Sequence, residues 1–149
     1  MEINLKASYQ LDDEQIKALF WTALTSGSIG YGMVQLDCTT EAAYDEAREC
    51  AKILKAGSVE EYVEGDYYVC SEDVWTEVFM AGNLIVQECD GFDDHTTSTP
   101  VQLDDLYQNL NKMQKDEAWI LEDFAKGNDD GDTHDAFLQC LLLGEIVYG

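Results

Sequence analysis

The sequence predicts an α+β fold: one domain, residues 1–149, in which several helices pack on a small, mainly antiparallel sheet. Helical and strand patterns are both present, but they do not alternate regularly, as a parallel α/β sheet would require. Apolar residues make up 46% of the chain, with five Phe, three Trp and eight Tyr, so there is material for a core. Proline occurs once, at Pro100, and no stretch rich in Pro, Gly or Ser divides the chain. At this length folding buries about 68–70% of the surface that the unfolded chain exposes.

Ile3–Tyr9 alternates Ile3, Leu5, Ala7 and Tyr9 with polar neighbours, the pattern of a half-buried strand. Asp12 or Asp13 then caps a helix running to about Thr25, with Ile16, Leu19, Phe20, Ala23 and Leu24 on one face. Ser26–Gly32 stops that helix, because three glycines in seven residues favour a turn. Met33–Asp37 is a short strand. Thr40 precedes a second helix over Ala43–Lys55, with Ala43, Ala47, Cys50, Ala51 and Leu54 inward and Gly57 beyond its end. Val59–Cys70 points both ways: Tyr62, Tyr67, Tyr68 and Val69 favour strand, while Glu60, Glu61 and Glu64 do not.

A short helix follows from Ser71 to Ala81. Asn83–Cys89 is the clearest strand, Asp90–Thr96 has turn chemistry, and Thr97–Leu103 returns as its antiparallel partner. Asp104 or Asp105 starts a helix through Leu106, Leu110 and Met113. Ala118–Ala125 is another, closed by Gly127. Asn128–Asp132 is a loop, and Asp135–Val147 a final apolar helix. The apolar end of the chain, Cys140–Gly149, should be packed, since free tails fray.

Charge is the most informative property. Eight Lys and Arg stand against 31 Asp and Glu, a formal net charge of −23. Solubility needs a magnitude of only about 2–8, and self-repulsion beyond that opposes the compact state. Such a surface repels nucleic acid, phosphorylated substrates and anionic membranes, and it attracts basic grooves on other proteins. Neither a membrane span of about 20 apolar residues nor a signal-peptide pattern is present, so a cytoplasmic protein is expected.

The five cysteines are odd in number and widely spaced, which signals neither a disulfide framework nor a zinc site; small buried hydrophobes are expected. Asp129–Asp132 resembles a calcium loop at first sight. Placing Gly131 at loop position 6, however, puts Lys126 at position 1, which excludes an EF-hand and leaves a solvated acidic turn. His95 and His134 have acidic neighbours, the composition of a metal site only if their two loops meet. The glycines at 27, 30 and 32 fit no phosphate-binding loop, there is no G-x-S-x-G, and neither histidine has a nucleophile beside it in sequence. No catalytic residue, cofactor or metal ligand is assigned, and the chain is read as a non-enzyme.

Two segments, Thr22–Gly32 (TALTSGSIGYG) and Phe137–Gly149 (FLQCLLLGEIVYG), resemble a family of small phage-encoded proteins of uncharacterised activity. That family has a TALEGGIGYW-like first segment and a GEIVYG-like C-terminus. The resemblance covers roughly a sixth of the chain, and Gly144–Gly149 is its closest part. It implies a phage or prophage origin, a bacterial host cytoplasm, and a last helix packed beside the Gly30–Tyr31 turn. Small, very acidic phage proteins often act on host defence or nucleic-acid enzymes by imitating DNA.

The expected function is therefore to bind and inhibit a host nucleic-acid-binding or defence protein, as a DNA mimic, without contacting nucleic acid or membrane itself. The candidate partner-binding acids are Asp90, Asp93, Asp94, Asp104, Asp105, Asp116, Glu117, Glu122, Asp123, Asp129, Asp130 and Asp132. From Glu88 to Asp135 the chain has 14 acids and 3 bases. A homodimer would double the charged length and suit a long DNA groove. The alternatives are a phage accessory protein with an apolar protein interface and a small metal-binding enzyme.

Overall fold

A computed structural model describes residues 11–64, 67–89 and 96–149. The strand expected over Ile3–Tyr9 and the turn carrying Asp90, Asp93, Asp94 and His95 lie outside the described residues. Seven α-helices and one three-stranded antiparallel sheet make up the described chain, the α+β class predicted.

Helix α1 (Asp13–Leu24) begins with a reciprocal cap: Asp12 accepts from the Gln15 amide at 2.8 Å, and the Gln15 side chain accepts from the Asp12 amide at 3.0 Å. A 3-10 turn at Gly30–Gly32 leads into β1 (Val34–Cys38). Helix α2 (Glu41–Ala56) is capped by Thr40 and closed by Gly57, as expected. The ambiguous stretch resolves into a short helix, α3 (Val59–Glu64); Tyr67–Cys70 has no regular structure. The local tyrosines lose to a helical start in which Ser58 Oγ accepts from the Glu61 amide.

Helix α4 (Ser71–Met80) precedes β2 (Leu84–Cys89) and β3 (Thr96–Pro100). The sheet order is β1-β2-β3, with Leu36 opposite Val86 and Val86 opposite Thr99. Strand β3 ends at Pro100, short of the expected Leu103, and α5 (Leu103–Asp116) starts at once from Gln102. Asp104 and Asp105 are therefore first-turn residues rather than caps, where the helix dipole favours negative charge. Helix α6 (Ala118–Lys126) ends at Gly127 as predicted.

The last helix departs most from expectation. Helix α7 is Gly131–Leu143, four residues earlier at each end than the apolar pattern suggested. Asp130 sets its start by accepting from the Thr133 amide, so Asp129–Asp132 is a helix start and not only a loop. Gly144 stops it with a left-handed backbone.

One core cluster joins these elements. Phe20 of α1 stacks on Phe79 of α4 with centroids 4.2 Å apart, and Phe137 of α7 meets the Phe124 edge at 5.4 Å. Leu84 and Val86 bring the sheet's inner face to it. Helix α2 contributes Ala47, Ala51 and Ala56, but Cys50 and Leu54 are exposed, contrary to expectation. The small alanine face lets α2 lie close to α4 and turns its larger side chains outward. Only Cys140 of the five cysteines is buried, so the expected buried thiols reduce to one.

Candidate functional site

The candidate acids that lie within the described residues sit on α5, α6 and α7. Their positions follow from how those helices are tied to α1. The Tyr107 hydroxyl donates to Asp13 at 2.6 Å, placing the start of α5 beside the start of α1. Ser26 lies 2.6 Å from His134, placing the end of α1 beside the start of α7. The Asn109 side chain donates to the Leu141 carbonyl at 2.8 Å, tying α5 to the end of α7. Asp104 and Asp105 thus occupy one end of this helical layer, and Asp129, Asp130 and Asp132 the other. The 12 residues of α1 span about 18 Å between the two ends at 1.5 Å per residue.

The acids are not alike. Glu122 pairs with Lys126 at 2.5 Å, and Glu117 accepts from the Trp119 indole at 2.6 Å. Asp123 accepts from the buried Thr133 hydroxyl at 3.0 Å. Asp130 caps α7, and the Thr133 amide, followed by its hydroxyl, holds the Asp130 carboxyl below its usual range. Asp104, Asp105, Asp116 and Asp132 are exposed and make no ion pair among the described residues. Local bonds therefore engage Glu117, Glu122, Asp123 and Asp130, and these other four remain turned to solvent.

The junction of α1 and α7 is more closely built than the sequence suggested. His134 uses both ring nitrogens, Nδ1 with Ser26 Oγ at 2.6 Å and Nε2 with Asp129 Oδ2 at 2.7 Å, and it stacks on Phe124. A nucleophile type does stand beside a histidine after all. The 108 residues separating Ser26 from His134 hid it, and no local motif marks the pair. His95 lies outside the described residues, and among the described residues no group of three or more His, Cys, Asp and Glu side chains is placed to hold a metal.

The segments Thr22–Gly32 and Phe137–Gly149 meet here. The Gly30 amide donates to Asp135, and Tyr148 packs so closely on Gly30 that a Cβ there would fall 2.8 Å from its ring. Buried Gln139 accepts from the Val147 and Tyr148 amides and donates to the Tyr148 carbonyl, fixing the chain end against α7. The end of the chain is thus held by polar bonds and one tyrosine, while Val147 stays half exposed. Beside the turn, Leu24, Gly27, Ser28, Val34, Trp75 and Leu138 line an open cavity of about 450 Å³.

The opposite flank has another character. Leu54, Val59 and Tyr68 are 58%, 61% and 80% exposed. Lys55 lies over the Tyr68 ring, and Arg48 and Lys52 border the same groove as Tyr67, Tyr68 and Val69. Lys17 pairs with Glu77 at 2.7 Å. Asp73 accepts from the Trp21 indole at 2.8 Å; burial raises its carboxyl, but the Cys70 and Trp21 hydrogen bonds outweigh this and leave it below 3.8.

Comparison of the chain with protein-family models, with curated proteins and with solved structures returns no match. No described helix is long and apolar enough to cross a membrane.

Proposed function

We propose that this chain is a phage-encoded protein that binds and inhibits a bacterial host protein through the acidic α5–α6–α7 layer, which competes with DNA for a basic nucleic-acid-binding surface. The observation that carries the reading is the pattern of exposed acids. Asp104, Asp105, Asp116 and Asp132 face solvent without a cation, at the ends of a layer whose other carboxylates are already fixed by local bonds. Nine of the candidate acids lie on this layer, with Lys112, Lys115 and Lys126 as its bases. A duplex of about 18 Å carries roughly ten phosphate charges, at one per about 1.7 Å, so the densities are comparable before the lysines are counted. Helices hold the carboxylates in place, which reduces the ordering cost of docking. The partner acts in the host cytoplasm, and association is fast at low salt and weakens as salt screens it.

Affinity capture from a bacterial lysate at low and high salt tests this, with bound proteins identified by mass spectrometry. The expected result is a DNA-binding protein that elutes with salt and is displaced by duplex DNA. Capture indifferent to both contradicts the reading. That outcome would favour a second reading, an accessory protein with an apolar interface, for which exposed Leu54, Val59 and Tyr68 are the specific observation.

A further inference from the structure

Ser26, His134 and Asp129 form a hydrogen-bonded chain whose proton order is set by the histidine tautomer. An ionised carboxylate only accepts, so in the neutral imidazole Nε2 carries the hydrogen and donates to Asp129. Nδ1 is then bare, and the Ser26 hydroxyl donates to it. A serine whose proton points at an imidazole, itself oriented by a carboxylate, is an activated nucleophile. The two ring nitrogens are used here in the reverse of the order in serine proteases, with Nδ1 as the base. His134 is also held by its stacking on Phe124, and its side chain is 12% exposed, whereas Ser26 is open to solvent. The base is sheltered and the nucleophile is accessible.

The cavity beside the turn reaches Gly27, the residue after Ser26, and is lined by Val34, Leu36, Trp75 and Leu138 together with Ser71 and Glu72; Ser26 itself stands outside that lining. The Gly27 amide is bonded to the Leu24 carbonyl at 3.0 Å, while the Ser28 amide has no acceptor among the described residues. Asp135 and Tyr148 hold the far end of the turn at Gly30. We propose that Ser26 is a catalytic nucleophile for acyl transfer, with His134 as general base and Asp129 as its positioning residue. The substrate class is an uncharged or cationic ester or amide that reaches the exposed Ser26 hydroxyl. An anionic substrate would be repelled by the net charge of −23.

In the forward step Ser26 Oγ bonds to the carbonyl carbon, the Ser26 proton passes to His134 Nδ1, and the carbonyl π pair moves to oxygen. Collapse breaks the bond to the alcohol or amine, which leaves with that proton. Water repeats the sequence and releases the acid. Turnover is slow, because each missing oxyanion donor costs roughly 10²–10³ in rate. Covalent capture is therefore the better readout.

The intact protein is treated with a neutral fluorophosphonate, and the adduct is located by peptide mass spectrometry. Ser26 Oγ displaces fluoride from phosphorus, and the proton leaves with it by way of His134. The expected result is a single adduct on Ser26, absent in Ser26→Ala and retained in Ser98→Ala. Labelling should slow about 100-fold or more in His134→Gln, the usual worth of a general base. Asp129→Asn should slow it as well, because an amide donating to Nε2 reverses the tautomer; circular dichroism checks that the variants fold. No adduct on Ser26 of the folded wild type, or an adduct formed at the same rate in folded His134→Gln and Asp129→Asn, overturns the proposal. The reaction needs no partner, so its failure is independent of the binding reading.

Discussion

Residues 41–80 and 101–149 have the same charge balance, eleven acids against three bases, and put it to different use. In the first stretch the cations stay close to acids, with Arg48 near Asp45 and Lys52 near Glu49 one turn away on α2. Its helix α2 buries only alanines and leaves Leu54 exposed; Val59 and Tyr68 beyond it are exposed too, while α4 buries Val74, Val78 and Phe79. In the second stretch Leu106, Met113, Ile120, Leu121, Phe137 and Leu141 turn inward, while Tyr107, Trp119 and Val147 stay exposed. Both stretches have acids at helix starts, where the dipole favours them, and exposed acids without an ion pair among the described residues. In the second, Asp104, Asp105, Asp116 and Asp132 belong to the α5–α6–α7 layer; in the first, Glu41, Glu46, Glu60 and Glu61 belong to α2 and α3. Net charge along a sequence therefore does not locate a binding face; the packing beneath the charges decides which of them are left for a partner.

The largest expected difference between the two stretches is in stability. Phe137→Ala, at a fully buried position, should cost about 3–5 kcal/mol in urea unfolding, while exposed Leu54→Ala should stay within about 0.5 kcal/mol. Equal effects would mean that the core does not sit where α7 places it. Gly30→Ala should cost roughly 2–4 kcal/mol, combining its positive φ with the clash on Tyr148. Gly27→Ala, with a similar φ and open space around it, should cost about 1–2 kcal/mol.

Acid sensitivity sharpens the contrast further. The Asp73 carboxyl titrates below 3.8 in the folded state, so its contribution is present above that value and is lost as pH falls through its folded value. The urea midpoint should drop as pH falls below about 3.8, and by less in Asp73→Asn. Thiol chemistry gives the smallest signal. Burial pushes the Cys140 thiol up to about 11, so at pH 8 iodoacetamide should modify exposed Cys50 and leave Cys140 intact until unfolding.

Much of the fold was legible where local chemistry and packing agree. The Asp12 and Thr40 caps, the Gly57 and Gly127 stops and the apolar run of β2 all stand where the sequence puts them. The start of α7 was misread because Gly131 and three nearby acids look like a loop, although Asp130 and Thr133 form a reciprocal cap. The outward turn of Leu54 was hidden too, since helical periodicity cannot tell which of two faces meets α4. The Ser26–His134 contact depends wholly on tertiary packing. The acids themselves were plain in the sequence, but the split between Asp104 and Asp105 at one end and Asp129–Asp132 at the other came from the way α1 ties α5 to α7.

The most direct test of the central claim compares two charge-reversal variants in the salt-graded lysate capture. One reverses Asp104, Asp105, Asp116 and Asp132; the other reverses Glu41, Glu46, Glu60 and Glu61, an equal change in net charge. At about 0.2–1 kcal/mol per exposed pair, the first should weaken capture roughly tenfold or more and flatten its salt dependence, while the second should leave both nearly unchanged. Equal losses from the two variants would show that overall charge, and not the α5–α6–α7 layer, does the binding.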